Sequence, residues 1–361
     1  MEMYLYKSSN GSSWTLRKSD DGELNSVSYG NGKYVVLNRG YGNGQYKFDP
    51  ERGQSSYIST YTSSAYVTDN ISRDNVSWQI TDNTSMIFSW VNDNGTSFDN
   101  ITVYPEKLLF SSGQFLALGR SNYTSNSNAK AVIQSNDGLN WSLITPALKT
   151  QEIVFDNGTT SRTYIPSELF AYGNGKYVAM SRSYAGGSQY RYDPERGNNT
   201  WISNYSSSAY VADNISDNAT WQVTDNTSMV FNWVNDNGTS FDNITFYPEK
   251  LLFSLGKFTA LGRSSYTGEK QAKAVIQSND GLNWNLLTPV LKTQPIVFDN
   301  GTVTQYYVPT ELFAYGNGKF VGLGRSYSGS QYRYDPERGY NTSIQNYGSS
   351  AYVADNFSDN T

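Results

Sequence analysis

Residues 135–141 read SNDGLNW, and residues 278–284 read SNDGLNW again, 143 positions later. YGNGK starts at Tyr29, Tyr172 and Tyr315, with the same step of 143. An Asp–Gly pair between a Ser and a Trp is a local instruction to reverse the chain. The Asp carboxylate accepts hydrogen bonds from amides two residues on, and the glycine takes a positive φ at little cost. Its return at a fixed distance makes that reversal part of a repeating unit, and repeats must be found before length is converted into domains.

The repeat is close. Residues 78–120 and 221–263 differ at seven of 43 positions, mostly by mild changes such as Ile80/Val223 and Ile87/Val230. A finer repeat lies inside it, because AYGNGKYVAM (171–180) aligns with LFSSGQFLAL (109–118). The turn glycines Gly32, Gly113, Gly175, Gly256 and Gly318 follow one another at alternating steps of 81 and 62. Each of the first four leads to a second tight turn and a tryptophan: Trp78, Trp141, Trp221 and Trp284, with Trp14 ahead of the first glycine.

Within a unit, a Pro-containing loop leads to a hairpin at Gly-Asn-Gly or Ser-Gly, then to a long polar loop. A strand such as SAYVADN or AKAVIQS follows, and a tight turn and last strand close the unit. Apolar and polar residues alternate over four to six positions, bounded by Asn-Gly and Asp-Gly. The single hint of helix is a turn near PEKLL. About four strands per unit, repeated about five times, predicts an all-β fold, a β-propeller of five or six four-stranded antiparallel blades built from a 143-residue two-blade repeat. Radial closure removes exposed sheet edges. A β-solenoid is the alternative, although its coils are usually shorter than this unit. The expected division is one propeller over 1–361: closing strands in 1–22, blades at 23–82, 83–147, 148–225 and 226–289, and an incomplete last blade at 290–361. The fifth tryptophan would fall at 364, beyond Thr361. Either the segment carrying Trp14 completes the last blade, or the chain is part of a longer array.

SNDGLNW, SRDNVSW (72–78) and SSNGSSW (8–14) resemble the Asp-box, or bacterial neuraminidase repeat. That resemblance implies a turn between the two outer strands of a propeller blade, with structural roles for Asp74, Trp78, Asp137, Trp141, Asp217, Trp221, Asp280 and Trp284. The match is one residue short of the usual spacing at Ser135–Trp141, and SDNATW (216–221) is shorter still and lacks the glycine. The resemblance bears on fold and leaves function open.

Composition removes several functions. A formal charge of −5 opposes a nucleic-acid partner. Cys and His are absent, which excludes disulfides, thiol catalysis, zinc sites built on those residues and a Ser-His-Asp triad. No apolar run is long enough to insert into a membrane as a helix, and the first residues lack a signal-peptide pattern.

Three groups of residues remain as candidates. The YRYDPERG blocks offer Tyr190, Tyr192, Arg196, Tyr332, Tyr334 and Arg338 to a sugar, against the plainer reading of a proline-stabilised turn. Trp90 and Trp233, outside the Asp-box pattern, are either stacking platforms for sugars or core fillers. WVNDNGTSFDN supplies Asp93, Asn94 and Asp99, and again Asp236, Asn237 and Asp242, as oxygen donors for calcium, though without EF-hand spacing. No other cofactor is expected. Repeated aromatic loops and the lack of a unique carboxylate pair lead to an expectation of a non-enzymatic binding or structural module. It would recognise glycans or a cell-surface protein, as a phage tail, virion surface protein or bacterial adhesin does, at the virion surface or outside the cell, with oligomeric or virion assembly open. The alternative is a sialidase-like glycoside hydrolase on the same scaffold.

Overall fold

The repeated turn closes a hairpin between the last two strands of a sheet. Ser135 Oγ accepts from the Gly138 amide at 2.8 Å, and Asp137 Oδ1 accepts from the amides of Leu139 and Asn140, both at 2.8 Å. Trp141 Nε1 donates to the Gly138 carbonyl at 3.0 Å. Ser278 to Trp284 repeat these bonds. The computed structural model describes residues 3–7, 15–20, 23–71, 76–81, 86–149, 153–154, 160–161, 164–216, 219–224, 229–292, 296–297, 303–304, 307–310, 312–335, 340–355 and 357. Asp74 and Asp217 lie outside them.

Five antiparallel sheets of three or more strands follow one another along the described chain. The first joins Glu23–Gly30, Lys33–Tyr41, Tyr61–Thr68 and Gln79–Ile80, with a hairpin Gln45–Asp49/Gln54–Ile58 between its middle strands. The second joins Ile87–Val91, Ser97–Ser111, Gln114–Ser121, Ala131–Ser135 and Ser142–Thr145. The third joins Leu169–Gly173, Lys176–Asp193, Asn198–Ala212 and Gln222–Val223. The fourth, Val230–Val234 to Asn285–Thr288, repeats the second, and the fifth contains Leu312–Gly316, Lys319–Asp335 and Tyr340–Ala354. The segment PEKLL is strand and not a helical turn. Its irregularity is a β-bulge between Pro105 and Lys107, where proline cannot donate to the ladder. The long polar loops of the first, third and fifth units are also strand. Tyr190 faces Trp201 and Asp193 faces Asn198 across one continuous hairpin.

Side-chain alternation explains why the sheets stack face to face. In the second sheet, Phe115, Ala117, Ala131 and Ile133 pack with Val35, Leu37, Ala65 and Val67 of the first. Their neighbours Leu116, Leu118 and Val132 point the other way, onto Phe170, Ala179 and Ala212 of the third. The third meets the fourth through Val178, Met180, Phe258 and Ile276, and the fourth meets the fifth through Leu261, Val275, Phe313 and Phe320. Each Val, Leu, Ile, Met or Phe so buried contributes roughly 1.5–3 kcal/mol. The sheets therefore form the successive wedges of a β-propeller.

The indoles sit in these interfaces: Trp141 in the first–second contact, Trp221 in the second–third and Trp284 in the third–fourth. Trp78 is half-buried. Among the described residues Trp221 Nε1 is buried without a hydrogen-bond partner. Its unit has the shortened turn, which lacks the glycine whose carbonyl serves Trp141 and Trp284. Gly138 has φ +78°, and a Cβ there would stand 2.4 Å from Val35 Cγ2 of the preceding sheet; Gly281 makes the same approach to Val178. Side chains tie the rims as well. Asn31 Nδ2 donates to the Gly113 carbonyl at 2.7 Å and Asn174 Nδ2 to the Gly256 carbonyl at 2.9 Å.

Candidate functional site

The innermost strands of all five sheets line one cavity of about 880 Å3. The sequence places a glutamate seven residues before four of the five turn glycines: Glu106, Glu168, Glu249 and Glu311, with Asn25 in the first unit. Wedge packing brings Glu106, Glu168 and Glu249 to the same cavity. Glu311 and the Asn25 side chain lie outside the described set.

The three carboxylates differ in how they are held. Glu106 Oε1 accepts from Arg120 Nε and Oε2 from Lys130 Nζ, both at 2.7 Å. Glu249 has matching ion-pair contacts with Arg263 Nε and Lys273 Nζ, both at 2.7 Å. Among the described residues Glu168 has one partner, Arg182 Nη2 at 3.0 Å, and its side chain is 75% exposed. The same guanidinium donates through Nη1 to the Pro248 carbonyl at 3.3 Å, just before Glu249. Arg182 thus stands between Glu168 and the strand that carries Glu249. The Tyr247 ring lies under both Arg182 and Arg263, with centroid distances of 5.4 and 4.6 Å. Tyr104 holds Arg39 and Arg120 in the same way, at 5.2 and 5.5 Å. Planar guanidinium groups over electron-rich rings, beside carboxylates, give a rigid polar rim.

Lys107 and Lys250 line the same cavity. Burial, followed by the charge of Lys250, brings the Lys107 ammonium down to about 8; burial alone lowers Lys250. The corresponding positions in the other units are Ser26, Leu169 and Leu312.

The DPERG tips at Asp49 and Asp193 are docking turns. Asp193 is fully buried and accepts from the amides of Glu195, Arg196 and, on the next sheet's loop, Gly268, at 2.9, 3.3 and 2.9 Å. Asp49 does the same with Glu51, Arg52 and Ser125. Burial opposes its ionisation, yet the Ser125, Thr124 and Glu51 donors outweigh burial and keep its carboxyl below the ordinary value. Arg196 is paired with Glu269. Tyr190 and Tyr192 are exposed on the hairpin above the tip, and Tyr190 packs edge-on against the equally exposed Trp201 at 5.7 Å. The side chains of Tyr332 and Tyr334, and all of Arg338, are outside the described set.

Trp90 and Trp233 are half-buried against small outer clusters around Tyr123 and Tyr266. Trp233, Asp236, Asn237, Glu195, Lys292 and Tyr266 border a cleft of about 210 Å3. Asp242 is exposed on the following strand and does not border it. Asp93 and Asn94 sit at an exposed turn organised by Asn92 Oδ1, which accepts from the Asn94 and Thr96 amides at 3.1 and 2.9 Å. Asp99 accepts from Ser89 Oγ at 2.8 Å. Among the described residues no three Asp, Glu, His or Cys side chains gather as a metal-binding group.

Sequence reading passed over the glutamate ring, the two lysines and Trp201. A signal for the first two was present in the constant offset from the turn glycines. Its meaning depends on closing the sheets around one axis, which no single unit shows.

No family model matches the chain, and no curated protein matches it in sequence. Solved structures of similar shape include a family 117 glycoside hydrolase of the marine bacterium Zobellia galactanivorans. It is 10% identical, with 96% of this chain and 90% of that one covered and a TM-score of 0.37. An α-L-arabinanase of Penicillium chrysogenum complexed with arabinobiose is 12% identical, over 89% and 79% of the two chains, with a TM-score of 0.36. A β-xylosidase is 10% identical, over 90% and 96%, with a TM-score of 0.33. At these values the likeness is one of architecture and transfers no residue. The names these neighbours carry are those of glycoside hydrolases, against the expectation of a non-enzymatic module of the tail-protein or adhesin kind.

Proposed function

We propose that the protein is a carbohydrate-active enzyme of the glycoside hydrolase type, working in the central cavity. The observation that carries this reading is the convergence of Glu106, Glu168 and Glu249, from three successive sheets, on one cavity large enough for a saccharide. Glycoside hydrolysis uses two carboxyl groups flanking the scissile bond, one moving a proton and the other stabilising or attacking the cationic sugar carbon. Glu168, with a single cation partner among the described residues and open access, is assigned the proton transfer. Glu249, fixed by two cations across Arg182, is assigned the charge-stabilising role. Tyr29, Tyr172 and Tyr315 also line the cavity and supply ring faces for sugar stacking.

The test is release of reducing ends from a panel of neutral and acidic oligosaccharides by the full chain. The expected result is turnover that falls at least about 100-fold in Glu168→Gln, while the circular dichroism spectrum and melting temperature are unchanged. Absence of release from every saccharide, or an undiminished Glu168→Gln rate, overturns the proposal.

A further inference from the structure

We infer that the central cavity takes an anionic ligand group, a carboxylate or sulfate on a saccharide, between the ammonium groups of Lys107 and Lys250. This rests on the cavity being the ligand site of the proposed function, though not on hydrolysis itself.

The two lysines come from the second and fourth sheets and line the same cavity. Among the described residues neither ammonium has an ion-pair or hydrogen-bond partner, although glutamates stand next to both in sequence. The reason is visible. Glu106 turns both oxygens to Arg120 and Lys130, and Glu249 turns both to Arg263 and Lys273. Glu168 is directed to Arg182. The acidic side chains of the rim are therefore engaged elsewhere, and the two inner cations stay uncompensated. Burial, and after it the charge of Lys250, lowers the Lys107 value, whereas burial alone lowers Lys250. Two like charges lining one cavity without an acidic partner are unfavourable unless something anionic meets them. An oxyanion accepting from both would relieve it through charge-assisted hydrogen bonds. The chain also shows that the positions do not require lysine for folding, because Leu169 and Leu312 occupy them in the third and fifth units.

The experiment is calorimetric titration of the full chain with sodium sulfate, with a galacturonic acid trisaccharide and with the neutral galactose trisaccharide. Wild type, Lys107→Leu, Lys250→Leu and the double variant are compared. The expected result is that sulfate and the acidic trisaccharide bind the wild type, each at least about 10-fold more weakly to the double variant, with the acidic trisaccharide ahead of the neutral one. Tighter binding of the acidic trisaccharide than of sulfate assigns the site to a charged sugar; equal binding assigns it to the free anion. Either of these outcomes supports an anion site. Should the leucine variants keep full affinity for both anions, or the wild type bind neither, the inference fails. Hydrolysis of neutral sugars alone would leave the proposed function standing and sink this inference. Anion binding without cleavage of any saccharide would do the reverse.

Discussion

At the scale of single residues, the repeated SNDGLNW turn joins two demands at one glycine. Gly138 and Gly281 must adopt positive φ, and they must also let the turn rest on a valine pair of the preceding sheet. Gly32 has the same φ, but a Cβ there meets nothing within 4 Å. Gly138→Ala is therefore expected to lose about 2–4 kcal/mol by urea unfolding, the sum of a left-handed backbone penalty and overpacking. Gly32→Ala should lose only about 1–2 kcal/mol. Equal losses would contradict the packing account. The aspartates of the same turns predict an acid response. Burial opposes ionisation of Asp137, but the Asn140 amide and side chain, the Leu139 amide and Ser135 overcome it and hold the carboxyl at about 2, against an ordinary 3.8; Asp280 behaves alike. A depressed folded value means that the contribution is complete above about pH 4 and disappears as pH falls towards 2. The double Asp→Asn variant should be weaker at pH 7 and should lose less stability between pH 4 and 2, as read by urea midpoints across that range. The hydrogen bonds inside this turn were legible in the sequence, because each joins residues two or three apart, whereas its seat on Val35 and Val67 was not.

At the scale of elements, the extended hairpins were only partly legible. Ser, Asn and Gly between the aromatic positions of residues 181–210 read as loop, since they carry no apolar alternation. The structure pairs them as strand up to a buried aspartate at the tip. What stabilises the tip is a long-range contact, Asp193 to the Gly268 amide, which no local pattern reveals. Asp193→Ala leaves three amide donors without their acceptor and is expected to lose roughly 2–4 kcal/mol, with faster proteolytic cleavage within residues 185–203. A variant as stable and as resistant as the wild type would show that the tip does not anchor the hairpin.

At the scale of the whole molecule, the sequence showed repeated wedges but not what they enclose. Glu106, Glu168 and Glu249 are 62 and 81 residues apart, and taken singly each is a glutamate paired with an arginine. Only their arrangement around one axis turns them into a cavity lining, and the glycosidase proposal and the anion site both depend on it. The absence of cysteine makes this arrangement directly measurable, since two introduced cysteines are the only labelling sites. Lys33, Lys176 and Lys319 occupy equivalent turn positions in the first, third and fifth sheets. Spin labels placed pairwise at these positions give distances by pulsed electron resonance. Wedges around a common cavity predict a 33–319 distance no longer than the 33–176 distance. A 33–319 distance near twice the 33–176 distance, as in sheets stacked along a line at about 10 Å each, would contradict the account.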